Sequence, residues 1–151
     1  MDFSGEIPEA VGYLNKLEEI ILDMNRFTGP IPSKMFNVSS LRVISMAEND
    51  LSGSLPSSLG AMLPNLEELY IGGNRLSGVV LTYISNASRL AHLDFTSNQF
   101  TGVIPRSLRD LSLLKILCLA NNSFSYESHS GELSFSNSLS NCKYLKVLCA
   151  R

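Results

Sequence analysis

The chain has 151 residues, of which 44% are hydrophobic, 12 are basic and 14 are acidic. This hydrophobic fraction is enough to fill one folded domain, and the net charge of -2 argues against a nucleic-acid or anionic-membrane partner. Charged residues or clusters of Pro, Gly and Ser interrupt every apolar run, so the sequence predicts no transmembrane helix. The segment from Met1 to Pro8 is acidic and lacks an apolar core, so it predicts no signal peptide.

An internal repeat organises almost the whole sequence. The pattern L-x-x-L-x-L-x-x-N recurs every 24 or 25 residues, beginning at Leu17, Leu41, Leu66, Leu90 and Leu114. This spacing defines repeats 17–40, 41–65, 66–89, 90–113 and 114–144, between the partial repeats 1–16 and 145–151. Because each such unit buries its apolar face only against its neighbours, we expect residues 1–151 to form a single domain.

Alternating apolar residues within each repeat predict a short strand whose inward side chains fill the core. One inward row consists of Leu22, Met46, Ile71, Phe95 and Leu119. Stacked copies of such strands form a parallel sheet. The predicted fold is an α/β-type repeat solenoid, right-handed and curved, with the parallel sheet on its concave face and irregular or 3-10 returns on its convex face.

An asparagine ends the pattern in every repeat. The five residues are Asn25, Asn49, Asn74, Asn98 and Asn122. A side-chain amide at a turn can satisfy backbone groups that have no partner in the sheet. We therefore interpret these asparagines as a structural ladder.

Four consecutive units resemble the N-x-F/L-x-G-x-I-P signature of plant-specific leucine-rich repeats, as in residues 27–32 and 100–105. This resemblance implies the extracellular domain of a plant receptor-like kinase, a receptor-like protein or a polygalacturonase-inhibiting protein. The segment Val79-Val80-Leu81 departs from the signature because it lacks the proline.

The fifth repeat is longer than the others. An insertion rich in serine, from Ser125 to Asn137, precedes F-x-x-S-L-x-N-C-x-x-L at residues 135–145. This unit resembles the long repeat of immune receptor kinases related to the rice bacterial-blight receptor. The resemblance implies a parent serine/threonine kinase that is anchored in the plasma membrane, faces the cell exterior, senses a microbial peptide or protein in plant defence and uses a leucine-rich-repeat co-receptor kinase. The insertion itself is interpreted as a loop that either contacts a partner or is a simple length variant.

The side chains between the core positions of each strand point to the concave face, which is where solenoids usually bind their partners. The predicted ligand-binding residues are Glu19, Ile21, Asp23, Val43, Ser45, Glu68, Tyr70, His92, Asp94 and Thr96. The acidic bias of the early strands favours a basic or amphipathic ligand, and the aromatic ring of Tyr70 is the best candidate anchor. The alternative is that these charges only solvate an exposed sheet.

His92, Asp94 and Glu68 together resemble an acid–base cluster, but an open sheet does not desolvate such groups as catalysis requires. We therefore expect no enzymatic activity, and no metal-ligand spacing or cofactor motif occurs. A kinase domain of the parent protein would lie outside this chain.

Three N-x-S acceptor motifs predict glycosylation at Asn37, Asn86 and Asn121, with the third a poorer acceptor because it adjoins the ladder residue Asn122.

The three cysteines exclude a complete set of disulfides. Cys118 and Cys149 fall at the same position of neighbouring strands, within bridging range, although we expect free thiols. Cys142 is expected to be a small buried side chain.

Three functions remain open at this point. The first is ligand recognition for a plant receptor kinase, in immune or developmental signalling. The second is a secreted inhibitor of a microbial polysaccharide hydrolase, and the third is a spacer segment whose surface binds nothing.

Overall fold

The computed structural model describes residues 2–125 and 137–150, which form a stack of similar coils containing two parallel sheets. A full coil runs from a strand of one sheet to a strand of the other and returns through a short helical segment. This architecture confirms the predicted repeat solenoid. The insertion predicted as a loop falls mostly on residues 126–136, outside the described residues.

The predicted sheet, here named the main sheet, contains one short strand from each coil. Its strands are β2 (Glu19–Ile21), β4 (Val43–Ser45), β6 (Glu68–Tyr70), β8 (His92–Asp94), β10 (Ile116–Cys118) and β12 (Val147–Cys149). Neighbours pair in parallel without any shift of register, so that Ile20 lies opposite Ile44 and Leu93 opposite Leu117. Since equivalent positions of successive repeats stack, the sequence columns become columns on the surface.

A second parallel sheet, which the sequence analysis did not predict, lies further along each coil. Its strands are β1 (Ser4–Glu6), β3 (Arg26–Pro30), β5 (Asp50–Ser54), β7 (Arg75–Val79), β9 (Gln99–Val103) and β11 (Ser123–Ser125). The N-x-F-T-G segments are therefore extended and paired. Their glycines adopt positive φ, for example +72° at Gly29 and +96° at Gly102, which bends the strand in a conformation that a side chain would strain.

The return to the main sheet passes through short helical segments. Those described are the 3-10 helices Glu9–Tyr13, Ser33–Asn37, Leu81–Asn86 and Arg106–Asp110 and the α-helix Leu59–Met62. Pro32 and Pro105 immediately precede two of the 3-10 helices, where a missing N–H is tolerated and a fixed φ favours helical entry. In the α-helix, Gly60 permits close stacking, since a Cβ there would lie 2.6 Å from the carbonyl oxygen of Tyr83.

The predicted core row is continuous through the stack. Met46, Ile71 and Phe95 are fully buried and Leu119 nearly so. Leu22 is only half-buried, because its coil lies at the edge of the main sheet and has one neighbouring strand there, β4.

The recurring asparagine links each coil to the one before it. Asn74, which is buried, donates from Nδ2 to the carbonyl oxygens of Met46 (2.9 Å) and Ile71 (3.1 Å). Its Oδ1 accepts from the backbone N–H of Leu51 at 3.0 Å. The same pattern of donation and acceptance recurs at Asn49, Asn98 and Asn122. Asn25 donates within its own coil and accepts from the N–H of Phe3.

Candidate functional site

The outward-facing side chains of the main sheet form the candidate site, here named the strand face. In β2, β4, β6, β8 and β10 the central residue is buried, such as Leu69 in β6 or Leu93 in β8, and the residues on either side of it point outward. In β12 the central residue, Leu148, is 46% exposed. The register places Glu68 beside His92 and Tyr70 beside Asp94. Most of the predicted binding residues therefore lie on one continuous surface.

Three predicted residues meet in one cluster near the middle of the strand face. The Tyr70 hydroxyl lies 2.6 Å from Nδ1 of His92, which is hydrogen-bonding distance. Glu68 Oε1 lies 3.5 Å from the same nitrogen. The two rings are tilted, with centroids 6.0 Å apart. The half-buried Tyr70 side chain is thus hydrogen-bonded to the neighbouring strand β8, which suits a binding anchor more than a freely solvated side chain.

The cluster also changes the acidity of the tyrosine. Burial raises the pKa of Tyr70 to about 12, and the charges of Glu68 and Asp94 add to the effect. The folded state therefore keeps this proton where the unfolded chain, with an ordinary tyrosine pKa of about 10, loses it. As a consequence, stability from this group is lost as the pH rises from about 10 to 12.

A phenolate absorbance titration checks this shift. We expect the difference between the wild-type titration and that of Tyr70→Phe to have a midpoint near pH 12, because the difference isolates Tyr70. Circular dichroism at each pH verifies that both proteins remain folded. A midpoint near the ordinary tyrosine value of about 10 contradicts the buried, acid-flanked environment.

Ser45 was predicted to bind the ligand, and the structure corrects this prediction. It is buried, and its hydroxyl donates to the Asp23 carboxylate at 2.7 Å. The same carboxylate accepts from the backbone N–H of Ala47 at 2.8 Å. Asp23 therefore links two coils. Ser45 is not available to contact a ligand, and Asp23 has a structural role.

Asp94 has a local role of a similar kind. Its Oδ1 accepts from the backbone N–H of Thr96 at 2.8 Å, whereas His92 contacts Glu68 and Tyr70. Among residues 2–125 and 137–150, no cluster of three metal-ligating side chains occurs. The arrangement places charged side chains and the Tyr70 ring together on an open surface.

At the N-terminal end of the strand face, near β2, some side chains are more exposed than Tyr70 and His92. Ile21 in β2 is 62% exposed and Glu19 is exposed, while Val43 on the next strand is half-buried. Thr96, which follows β8, is also half-buried. Met24, which follows this strand and is 78% exposed, was missed by the sequence reasoning. An apolar pair beside an acidic residue fits the amphipathic ligand expected from the sequence.

An ion-pair network beside the strand face was also missed. Arg42 donates from Nε and Nη2 to the two carboxylate oxygens of Glu67, both at 3.1 Å, and its Nη1 lies 3.6 Å from Glu18. The hydrogen bond from Arg42 lowers the pKa of Glu67. The signal lay in the alternating charge of Glu18, Arg42 and Glu67, which occupy the same position in successive repeats.

The predicted glycosylation sites are all exposed. Asn37 and Asn86 end 3-10 helices, away from the main sheet. Asn121 has a φ of +54° and donates to Ser97 Oγ at 3.2 Å. Its neighbour Asn122 turns inward, while Asn121 itself is exposed. Glycan attachment at these sites stays a prediction.

The cysteine pair differs from expectation. Cys118 and Cys149 form a disulfide between β10 and β12, with Cα atoms 4.3 Å apart, whereas free thiols were expected. The unshifted register places the two residues directly opposite each other, which brings their sulfur atoms together. Cys142 is free and buried as predicted, and burial raises the pKa of its thiol.

Comparison with known families and structures agrees with this architecture. Two profiles described as leucine rich repeat match residues 40–62 and 64–124, which together are more than half of the chain. The chain is therefore a leucine-rich-repeat solenoid. No curated protein sequence matches it. Within the described residues, no helix has the length and apolarity needed to cross a bilayer.

Similar solved structures are ectodomains of plant receptors. The LRR ectodomain of the receptor kinase GASSHO1/SCHENGEN3 from Arabidopsis thaliana, in complex with CASPARIAN STRIP INTEGRITY FACTOR 2, is 30% identical with a TM-score of 0.87, over 99% of this chain and 17% of that one. The plant peptide hormone receptor RGFR1 in complex with RGF2 is 33% identical with a TM-score of 0.85, over 95% and 22%. The Arabidopsis receptor kinase HAESA, in complex with the peptide hormone IDA and the co-receptor SERK1, is 38% identical with a TM-score of 0.78, over 82% and 20%. The chain thus spans about a fifth of the length of these ectodomains.

Proposed function

We propose that this chain is a ligand-recognition segment of a plant leucine-rich-repeat receptor kinase ectodomain and that its strand face binds a peptide. The observation that carries the proposal is the fixed Tyr70 ring, surrounded by charged side chains in the middle of an open sheet. Similarity to ectodomains solved with peptide hormones supports it.

The chemistry of the strand face favours a basic or amphipathic peptide. Glu19 and Asp94 present carboxylates on either side of Tyr70, while Ile21 and Met24 offer apolar contact at the early end. Aromatic residues contribute disproportionately to binding, and complementary charge accelerates association and selects the partner. A peptide with cationic residues around an apolar one satisfies both kinds of contact.

The parent protein in this proposal is anchored in the plasma membrane, exposes the solenoid outside the cell and carries the kinase activity in a separate domain. The likeness of residues 114–149 to the long repeat of immune receptor kinases favours a role in plant defence over one in development. A leucine-rich-repeat co-receptor kinase, as in the complex of HAESA with SERK1, is the second partner. We propose no catalytic role for the chain itself.

A selection of random phage-displayed peptides on the chain tests the proposal. We expect the selected peptides to be enriched in Lys and Arg, and synthetic copies to bind Tyr70→Ala at least about 10-fold more weakly than wild type. His92→Ala is expected to weaken binding in the same direction because it releases the Tyr70 ring. Isothermal calorimetry on wild type and variants provides the dissociation constants.

The matched control is Tyr83→Ala, which removes another exposed tyrosine from the 3-10 helix Leu81–Asn86. We expect no change in affinity for this variant. Equal affinity of wild type, Tyr70→Ala and His92→Ala for every selected peptide contradicts the proposal, because the peptides then bind elsewhere on the chain. A selection that yields no binding peptide favours the spacer role. Circular dichroism establishes that each variant retains the fold.

A further inference from the structure

A groove with a volume of about 550 Å³ opens on the flank of the main sheet, beside the beginning of β6, β8 and β10. Its lining includes Glu67, Ala91 and Lys115, which immediately precede these strands, together with Arg89, Leu113 and Tyr144. It lies next to the strand face, since His92 borders both.

The groove arises from a single small residue. Six residues occupy the same position in successive coils: Glu18, Arg42, Glu67, Ala91, Lys115 and Lys146. All except Ala91 have long charged side chains. The small side chain of Ala91 leaves a gap between the side chains of Glu67 and Lys115. The backbone hydrogen bonding is continuous there, since the Ala91 N–H donates to Glu67 O and the Lys115 N–H donates to Ala91 O. With strands about 4.8 Å apart, the backbones of Glu67 and Lys115 are separated by about 10 Å, which leaves room for an inserted side chain.

The acidic side chains around the gap already have partners, whereas the basic ones have donors left for a ligand. Glu67 is held by two hydrogen bonds from Arg42, and Glu68 faces His92, so both lining carboxylates already have a partner. Across the gap, Lys115 is an exposed cation, and Arg89 uses Nη1 for Asn65 Oδ1 at 3.2 Å while its guanidinium has further donors. The groove therefore offers donors to an incoming anion.

The far wall of the groove is apolar. Leu113 is 46% exposed and Tyr144 is 60% exposed, and both follow Arg89 at the equivalent position of later coils. A ligand that placed a carboxylate between Arg89 and Lys115 would bring its neighbouring residue against these two side chains. Burial of that apolar surface would then add to the charge-assisted hydrogen bonds.

We propose that this groove binds a peptide segment in which an acidic side chain is followed by an apolar residue, with the carboxylate between Arg89 and Lys115. The assignment deepens the proposed function, since it adds one acidic contact to a peptide that is otherwise basic or amphipathic. The occupied groove would fix the position of that peptide along the solenoid.

The probe is the blocked dipeptide acetyl-Glu-Leu-amide, titrated into the isotopically labelled chain and followed by amide chemical shifts. We expect a dissociation constant of about 1–10 mM, with the largest shifts at Ala91, Leu113 and Lys115. Acetyl-Gln-Leu-amide is expected to bind at least about 5-fold more weakly, because it lacks the charge. Acetyl-Gln-Leu with a free carboxyl terminus distinguishes a side-chain carboxylate from a terminal one.

Arg89→Gln and Lys115→Gln are each expected to weaken binding of the Glu dipeptide about 5-fold, and Ala91→Gln to abolish it by filling the gap. Arg75→Gln, which removes an exposed arginine from the second sheet, serves as the matched control. Should Ala91→Gln misfold, the two exposed cation variants still decide the outcome. Any one of three results overturns the assignment. The Glu and Gln dipeptides cause equal shifts, the free-carboxyl dipeptide binds more tightly than the Glu dipeptide, or Arg89→Gln and Lys115→Gln bind the Glu dipeptide as well as wild type does. These outcomes are independent of whether Tyr70→Ala affects the phage-selected peptides.

Discussion

Replacing Phe95 with alanine is expected to lower the free energy of unfolding by about 3–5 kcal/mol. The ring is fully buried in the row of inward side chains and packs against Phe100 with centroids 4.9 Å apart. Its removal leaves a cavity that neighbouring coils fill poorly, because each is fixed to the next by backbone hydrogen bonds. Urea denaturation followed by circular dichroism measures the effect.

The matched control is Phe3→Ala. Phe3 is 71% exposed, and its ring stacks on that of Phe27 with centroids 6.3 Å apart. We expect a loss of less than about 1 kcal/mol, since little surface is removed from the core. Similar losses for the two variants would mean that the row containing Phe95 is not the core of the solenoid.

Asn74→Ala is expected to cost about 2–4 kcal/mol although it creates only a small cavity. The substitution leaves the backbone N–H of Leu51 without its side-chain acceptor, and the carbonyl oxygen of Met46 keeps only the weaker of its two amide donors, Asn49. Both groups lie in a buried part of the stack, where an unsatisfied polar group costs about 1–3 kcal/mol. The same denaturation experiment measures the loss, and hydrogen exchange at the Leu51 amide reports it locally.

Asn86→Ala is the appropriate comparison, since Asn86 is exposed at the end of a 3-10 helix. With protein expressed in bacteria, we expect a change of less than about 0.5 kcal/mol. A loss for Asn74→Ala no larger than that for Asn86→Ala would contradict a structural role for the asparagine ladder.

The repeat pattern accounts for most of what could be predicted. A fixed spacing of leucines determines which residues face inward and which positions become neighbours on the surface, because the strands stack without a change of register. The buried row through Met46 and Ile71 and the adjacency of Glu68, Tyr70 and His92 both follow from that rule. Such features depend on backbone geometry that each repeat imposes on the next.

Other features depend on interactions that spacing does not specify. The second sheet arises from backbone pairing of segments such as Arg26–Pro30, which lie outside the alternation of apolar residues that predicted the strands. Ser45 occupies an outward position, yet it is buried, and its hydroxyl donates to the Asp23 side chain of the preceding coil. The groove beside Ala91 results from a side chain that is small among long ones, and its significance appears only when the neighbouring coils are in place.

The disulfide illustrates the same limit. Cys118 and Cys149 occupy the same position in neighbouring repeats, which correctly predicted that they lie side by side. The repeat pattern does not indicate whether two opposed thiols form a bond. That outcome depends on side-chain geometry and on the redox environment.

A crystal structure of the chain with a phage-selected peptide is the most direct test of the central claim that the outward side of the main sheet is the recognition surface. We expect the peptide to lie on the strand face in contact with the Tyr70 ring and with His92. A peptide seated on the second sheet or against the helical returns, with the Tyr70 ring left exposed to solvent, would contradict the claim.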